Sequence, residues 1–216
     1  MKEKANWTAR TWLHRSLLLL AGLIVLAFGV SFSIKAELGT SPISSLPYVV
    51  SCFTPLTVGT ATIILHVILI TLQILILRKD YDWMQLLQLP VAFIFGYLCD
   101  FTLYLVDAIQ CTTYFWQWIC CIISIVLTAA GVSLEVGADV TTLAGEGFVL
   151  AVCRVLPVQF GSMKVIFDVA IVLIAVILSF VFLHGLVGVR EGTVAAALLV
   201  GTLSRKMKIP GGSASH

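Results

Sequence analysis

The chain has 216 residues, of which 60% are apolar and only 11% charged, with a formal net charge of +2. Its mean hydropathy is +1.07, whereas soluble domains carry about 25% charged residues. A cytosolic enzyme, a disordered tail and a nucleic-acid binder are excluded. The composition is that of a polytopic membrane protein whose first partner is the lipid bilayer.

Lys2, Lys4, Arg10 and Arg15 precede an apolar run that ends at Ala36. The layout resembles a signal peptide, but the run is long enough to span, and Lys35 stands where a small-residue cleavage motif is needed. The segment is therefore read as a retained first span, 12–34. Thr40-Ser41-Pro42 then offers an N-cap hydroxyl and a proline for a first helical turn. The segment it opens, 42–54, closes at Pro55 and Gly59. Even from Pro42 to Leu56 a helix reaches about 22 Å, against a hydrocarbon core of ~30 Å. It is predicted to be a re-entrant half-helix. Spans near 57–77 and 85–106 complete a first unit, 1–108. A second unit, 109–208, repeats the order: a span at 114–136, a half-helix at 142–156 opened by Thr141-Thr142, and spans at 161–183 and 190–204. Residues 209–216 read as a flexible tail. Runs such as Leu17–Phe32 and Val165–Leu183 are continuously apolar, so the spans are helices and not alternating barrel strands. Trp12, Tyr81, Trp83, Tyr114, Trp116 and Trp118 fall at span ends, as interfacial anchors do.

The second unit is the first written again. Residues 29–67 run without a gap against 131–169, and from 29 to 77 there are ten identities. Among them are Gly29/Gly131, Thr40/Thr142, Pro55/Pro157 and Gly59/Gly161, and the ordered Gly and Pro matches weigh more than the count. Glu37 meets Asp139, and His66 meets Asp168. After three extra residues in the second copy, Gly96 meets Gly201.

If the two short segments do not cross, Lys2, Lys4, Arg10, Arg15, Arg78, Lys79, Arg154, Arg205, Lys206 and Lys208 share one side. Lys35 and Arg190 take the other, and Lys164 lies within a span. Crossing would move Arg78 and Lys79 outside and weaken this positive-inside bias. Charge and length agree on six spans with both termini cytoplasmic. Three spans per copy is an odd number, so the copies are inverted, a plan in which interrupted segments mark a solute site near the midplane. The predicted fold is thus an all-α inverted repeat of two units, each with three transmembrane helices and one half-helix.

Lys164 and Asp168 stand four apart on one helix face inside a span. Intramembrane ionisable residues are costly and mark functional sites by default, although a structural ion pair is the alternative. His66 could carry a coupling proton or be a hydrogen-bonded core residue. Glu37 and Asp139 precede the half-helices, where the helix dipole favours carboxylates; the alternative is that they line two mouths of one pathway. Glu135 and Glu146 face Ser33 and Ser44 in the first copy, so the second copy is the more anionic and suits a cation or proton. The half-helix starts at Thr40–Ser44 and Thr142–Glu146 suit an anion instead, and the two tendencies stand unresolved. Six cysteines sit mostly in apolar runs without metal spacing; they read as small core residues, with a disulfide or metal role as the alternative. No H-E-x-x-H, G-x-S-x-G, P-loop or G-x-G-x-x-G occurs, so no enzymatic activity, cofactor or metal is expected.

The A-x-L-G-x-x-P pattern of Ala36–Pro42, its echo at Ala138–Ala144 and the stretch Val187–Leu203 resemble the YczE/YitT-type family of bacterial integral membrane proteins. The resemblance implies the bacterial cytoplasmic membrane and names no substrate. The expected function is a small secondary transporter or channel for a polar or charged solute, with Asp168, Lys164 and His66 nearest the midplane. The alternative is a non-transporting membrane protein that stabilises or regulates a partner. A second copy or another membrane protein would be the protein partner.

Overall fold

The computed structural model describes residues 8–109 and 111–207, and among them every regular element is helical. The helices are α1 (Ala9–Ala36), α2 (Pro42–Phe53), α3 (Val58–Leu77), α4 (Gln88–Leu105), α5 (Tyr114–Ala138), α6 (Ala144–Val155), α7 (Phe160–Leu183) and α8 (Glu191–Lys206). The expected tail, 209–216, lies outside the described residues.

Local chemistry sets the boundaries. Thr57 Oγ1 accepts the Thr60 N–H at 3.1 Å to open α3. Asp100 of α4 accepts the Gly59 N–H at 2.7 Å, so the free end of α3 is satisfied from a neighbour as well. Pro42 occupies the first turn of α2, where a missing N–H costs nothing. α1 and α5 both stop at a residue in the left-handed conformation, Glu37 (φ 56°) and Asp139 (φ 51°).

Five segments are long and apolar enough to cross a membrane: α1, Val58–Asp80, Trp83–Leu105, α5 and α7. This is the make-up expected of a multi-pass membrane protein. The last expected span differs. α8 has 16 residues, about 24 Å, and is grouped by length with the short apolar helix α2. α2 and α6 have 12 residues each, about 18 Å.

The largest seam joins α1 to α5. A methyl at Gly29 would meet Thr128 Oγ1 at 2.5 Å, and one at Gly131 would meet Leu26 N at 2.7 Å. Small residues thus let these two backbones approach closely. α4 lies on α1, and α8 on α5. α2 packs on α7 and α3, and α6 packs on α3 and α7. The starts of the two short helices touch: a methyl at Gly145 of α6 would collide with Ile43 Cδ1 of α2 and reach the Phe167 ring.

α3 and α4 share a close seam in which Gly59 and Gly96 face one another's carbonyls. α7 and α8 share no comparable seam among the described residues. Instead α7 exposes Val165, Ile166, Val169 and Leu173, and α8 exposes Val194 and Leu198. Of the expected anchors, Trp83, Tyr114 and Trp116 are exposed, but Tyr81 is buried against Leu77 and Ala151.

Candidate functional site

Polar groups converge where α6 begins. Lys164 Nζ donates to Asp168 Oδ1 at 2.5 Å across one turn of α7. The side chains are 31% and 20% exposed, so this pair is half-buried. The ammonium also stands 5.7 Å from the centre of the Phe167 ring, a cation–π distance. Glu146, in the first turn of α6, lies within electrostatic reach of both Lys164 and Asp168. Glu135, on the last turns of α5, is 2% exposed and within electrostatic reach of Glu146. The cluster therefore holds three carboxylates and one ammonium.

Glu135 has a second task. Its Oε1 accepts the Leu143 N–H at 2.6 Å, and Leu143 is the N-cap of α6. The expectation that Thr142 opens this helix is corrected: α6 starts at Ala144, and a carboxylate from α5 supplies the acceptor. Replacing Glu135 by Ala leaves that N–H without its acceptor and is expected to cost about 1–3 kcal/mol. Glu135→Gln keeps an acceptor oxygen and should retain most of the stability. Thermal unfolding in detergent reads the difference, and equal losses would remove the capping role.

Beside the cluster, Gln73 of α3 and Gln88 of α4 are fully buried. Gln73 Nε2 donates to Gln88 Oε1 at 3.2 Å and to the Ala144 carbonyl at 3.1 Å. Both amides crowd Gly147 of α6, where a methyl would meet Gln88 Nε2 at 2.6 Å. The sequence reading passes over these two glutamines, and it weighs Glu135 only for the negative charge it gives the second copy. The available signal for the glutamines was an uncharged amide inside an otherwise apolar span.

The other expected site residues are dispersed. The His66 ring stacks on Phe95 of α4 with centroids 6.0 Å apart, and its buried Nδ1 has no hydrogen-bond partner among the described residues. α3 thus turns its His66 face towards α4. Thr40 does not cap α2; its N–H and Oγ1 both donate to the Gly188 carbonyl, at 3.0 and 3.3 Å. Ser41 takes the N-cap position instead. Glu37 and Asp139 precede α2 and α6 by a few residues, as expected, and they also terminate α1 and α5. The Glu37 carbonyl accepts from Arg190 Nη1 at 3.0 Å, and Asp139 pairs with Arg15 at 3.4 Å.

A separate open depression of about 400 Å³ is lined by Lys35, Glu37, Tyr48, Leu103, Tyr104 and Asp107, among others. Lys35 donates to Asp107 Oδ1 at 2.7 Å. That hydrogen bond and the lysine charge hold the Asp107 carboxyl below the usual aspartate range.

A protein-family model matches residues 13–208, nearly the whole length. The chain belongs to DUF6198, a family of unknown function. The uncharacterized protein YyaS of Bacillus subtilis (strain 168) is 33% identical over 114 residues, 52% of this chain and 55% of that protein. The chain thus matches about half the length of this relative. No solved structure is significantly similar.

Proposed function

We propose that this DUF6198 chain is a small secondary permease for a cation, coupled to protons at the Glu135–Glu146–Lys164–Asp168 cluster. The observation that carries the reading is the charge imbalance. Three carboxylates beside one ammonium cannot all be ionised in a water-poor interior without a further positive charge. A proton or a small cation would supply it, and exchange of one for the other is coupled transport.

An inverted repeat supports the pathway. The ten identities pair α1 with α5, α2 with α6 and α3 with α7, and the separate match of Gly96 with Gly201 extends the order to α4 and α8. Packing follows the same exchange: α4 lies on α1 as α8 lies on α5, and α2 lies on α7 as α6 lies on α3. In this reading α2 and α6 are re-entrant, their starts meet at Ile43 and Gly145, and both termini face the cytoplasm of a bacterium. The likeness of Ala36–Pro42 and Val187–Leu203 to the YczE/YitT-type proteins extends the kinship to that group.

The test uses purified chain in liposomes loaded with a pH-sensitive dye and holding an imposed proton gradient. Addition of sodium, potassium or a small organic ammonium should dissipate the gradient for at least one cation, and Asp168→Asn should abolish the effect. Traces that match empty liposomes across the series would sink the permease. One observation favours the rival, a non-transporting partner protein: Ile43, Gly145 and Phe167 fill the meeting point of the short helices with apolar atoms.

A further inference from the structure

Cys111 lies in the linker between α4 and α5, the segment that joins the two halves of the chain, and Cys120 lies two turns into α5. Their Sγ atoms are 2.8 Å apart, inside van der Waals contact. Gln117 Nε2 donates to the Cys111 carbonyl at 3.4 Å, which folds the linker back onto α5. Cys120 is buried and Cys111 is partly exposed, so one sulfur of the pair is open to attack. Cys121 points elsewhere, against Gly192 at the start of α8. On the same linker Asp107 is tied to Lys35, one of the two basic residues of the minority side.

We propose that Cys111 and Cys120 form a disulfide that staples the linker to α5, in an oxidising compartment outside the cytoplasm. The compartment rests on the orientation proposed above; the pairing does not. Each thiol loses its proton, and one Sγ–Sγ bond forms. The two electrons pass to a disulfide oxidant, whose own S–S bond breaks and takes up the two protons as two thiols. Cys111, the accessible sulfur, attacks the oxidant's disulfide first and releases one thiol, and Cys120 then attacks Cys111 Sγ in the mixed disulfide and releases the second.

The test counts free thiols. Purified full-length chain is equilibrated with oxidised glutathione, freed of it, unfolded in detergent and labelled with a maleimide. Of the six cysteines, four should label before reduction and six after it. Cys111→Ser should lose this reduction-dependent pair. Chymotrypsin cuts at the aromatic residues between the two positions, so the wild type should yield two peptides joined by one bond. Six free thiols, or glutathione on each cysteine in place of a mutual bond, would overturn the pairing. In intact cells a membrane-impermeant reductant should open the bond. A bond that forms in the purified chain but is never found in cells would overturn the orientation and leave the pairing standing.

Discussion

Gly59→Ala is expected to destabilise the chain by about 1–3 kcal/mol, while Gly161→Ala, its counterpart in the second half, should stay within ~1 kcal/mol of the wild type. The sequence treats the two positions alike: both follow a proline by four residues and open a long helix. Their surroundings do not. A methyl at Gly59 would collide with the Gly96 carbonyl and stand 2.6 Å from the Asp100 carboxyl, which is backbone and a fixed capping group. Neither can yield without parting α3 from α4. A methyl at Gly161 meets no atom within 4 Å among the described residues. Gly201, whose carbonyl accepts from Ser204, likewise has room for a methyl. Thermal unfolding of the two variants in one detergent decides the matter. Equal losses would mean that α7 and α8 close on one another as α3 and α4 do.

Lys164→Met is expected to lower stability by about 2 kcal/mol. Removing one partner of a fully buried pair costs roughly 3–5 kcal/mol, and the exposure of Lys164 and Asp168 scales that down. The loss comes from the carboxylates left behind, since Glu146 and Asp168 then stay within electrostatic reach of one another without the ammonium. Asp168→Asn in the same chain removes one of those charges and should recover much of the loss. A double-mutant cycle measures the coupling. Purely additive costs would show that the lysine does not hold the cluster together, and would weaken the charge argument for cation exchange.

The helices were legible because their causes are local. Segments expected at 57–77, 114–136 and 161–183 appear as 58–77, 114–138 and 160–183. In lipid every backbone group must be satisfied within the segment, so an apolar run of sufficient length is enough to define the element. The two short helices were legible for the same reason, since Pro42, Pro55 and Pro157 act on their own backbone. Lys164 with Asp168 was legible too, because four residues on a helix is one face.

What joined those elements was not. Glu37 and Asp139 precede the short helices as expected, but their left-handed φ, which ends α1 and α5, was not read from the sequence. Thr40 and Thr142 carry good capping hydroxyls, yet Thr40 is drawn to Gly188 and the Leu143 N–H is taken by Glu135. Alignment pairs His66 with Asp168, and the contact of its ring with Phe95 was not read from the sequence. The Thr40, Glu135 and His66 contacts each join different helices or the loops between them, and no local run of residues specifies such a partner.

Composition, run length and the placed prolines and glycines by themselves determined that this is a helical membrane chain with two short helices and a duplicated order. The tertiary structure alone decided that Glu135 caps α6, that Gln73 and Gln88 pack on Gly147, and that Gly59 is locked while Gly161 is open. The reason is one of range. Helix formation satisfies neighbours a few residues apart, whereas the choice of partner across a seam depends on which backbones come close, and only the assembled bundle sets that distance.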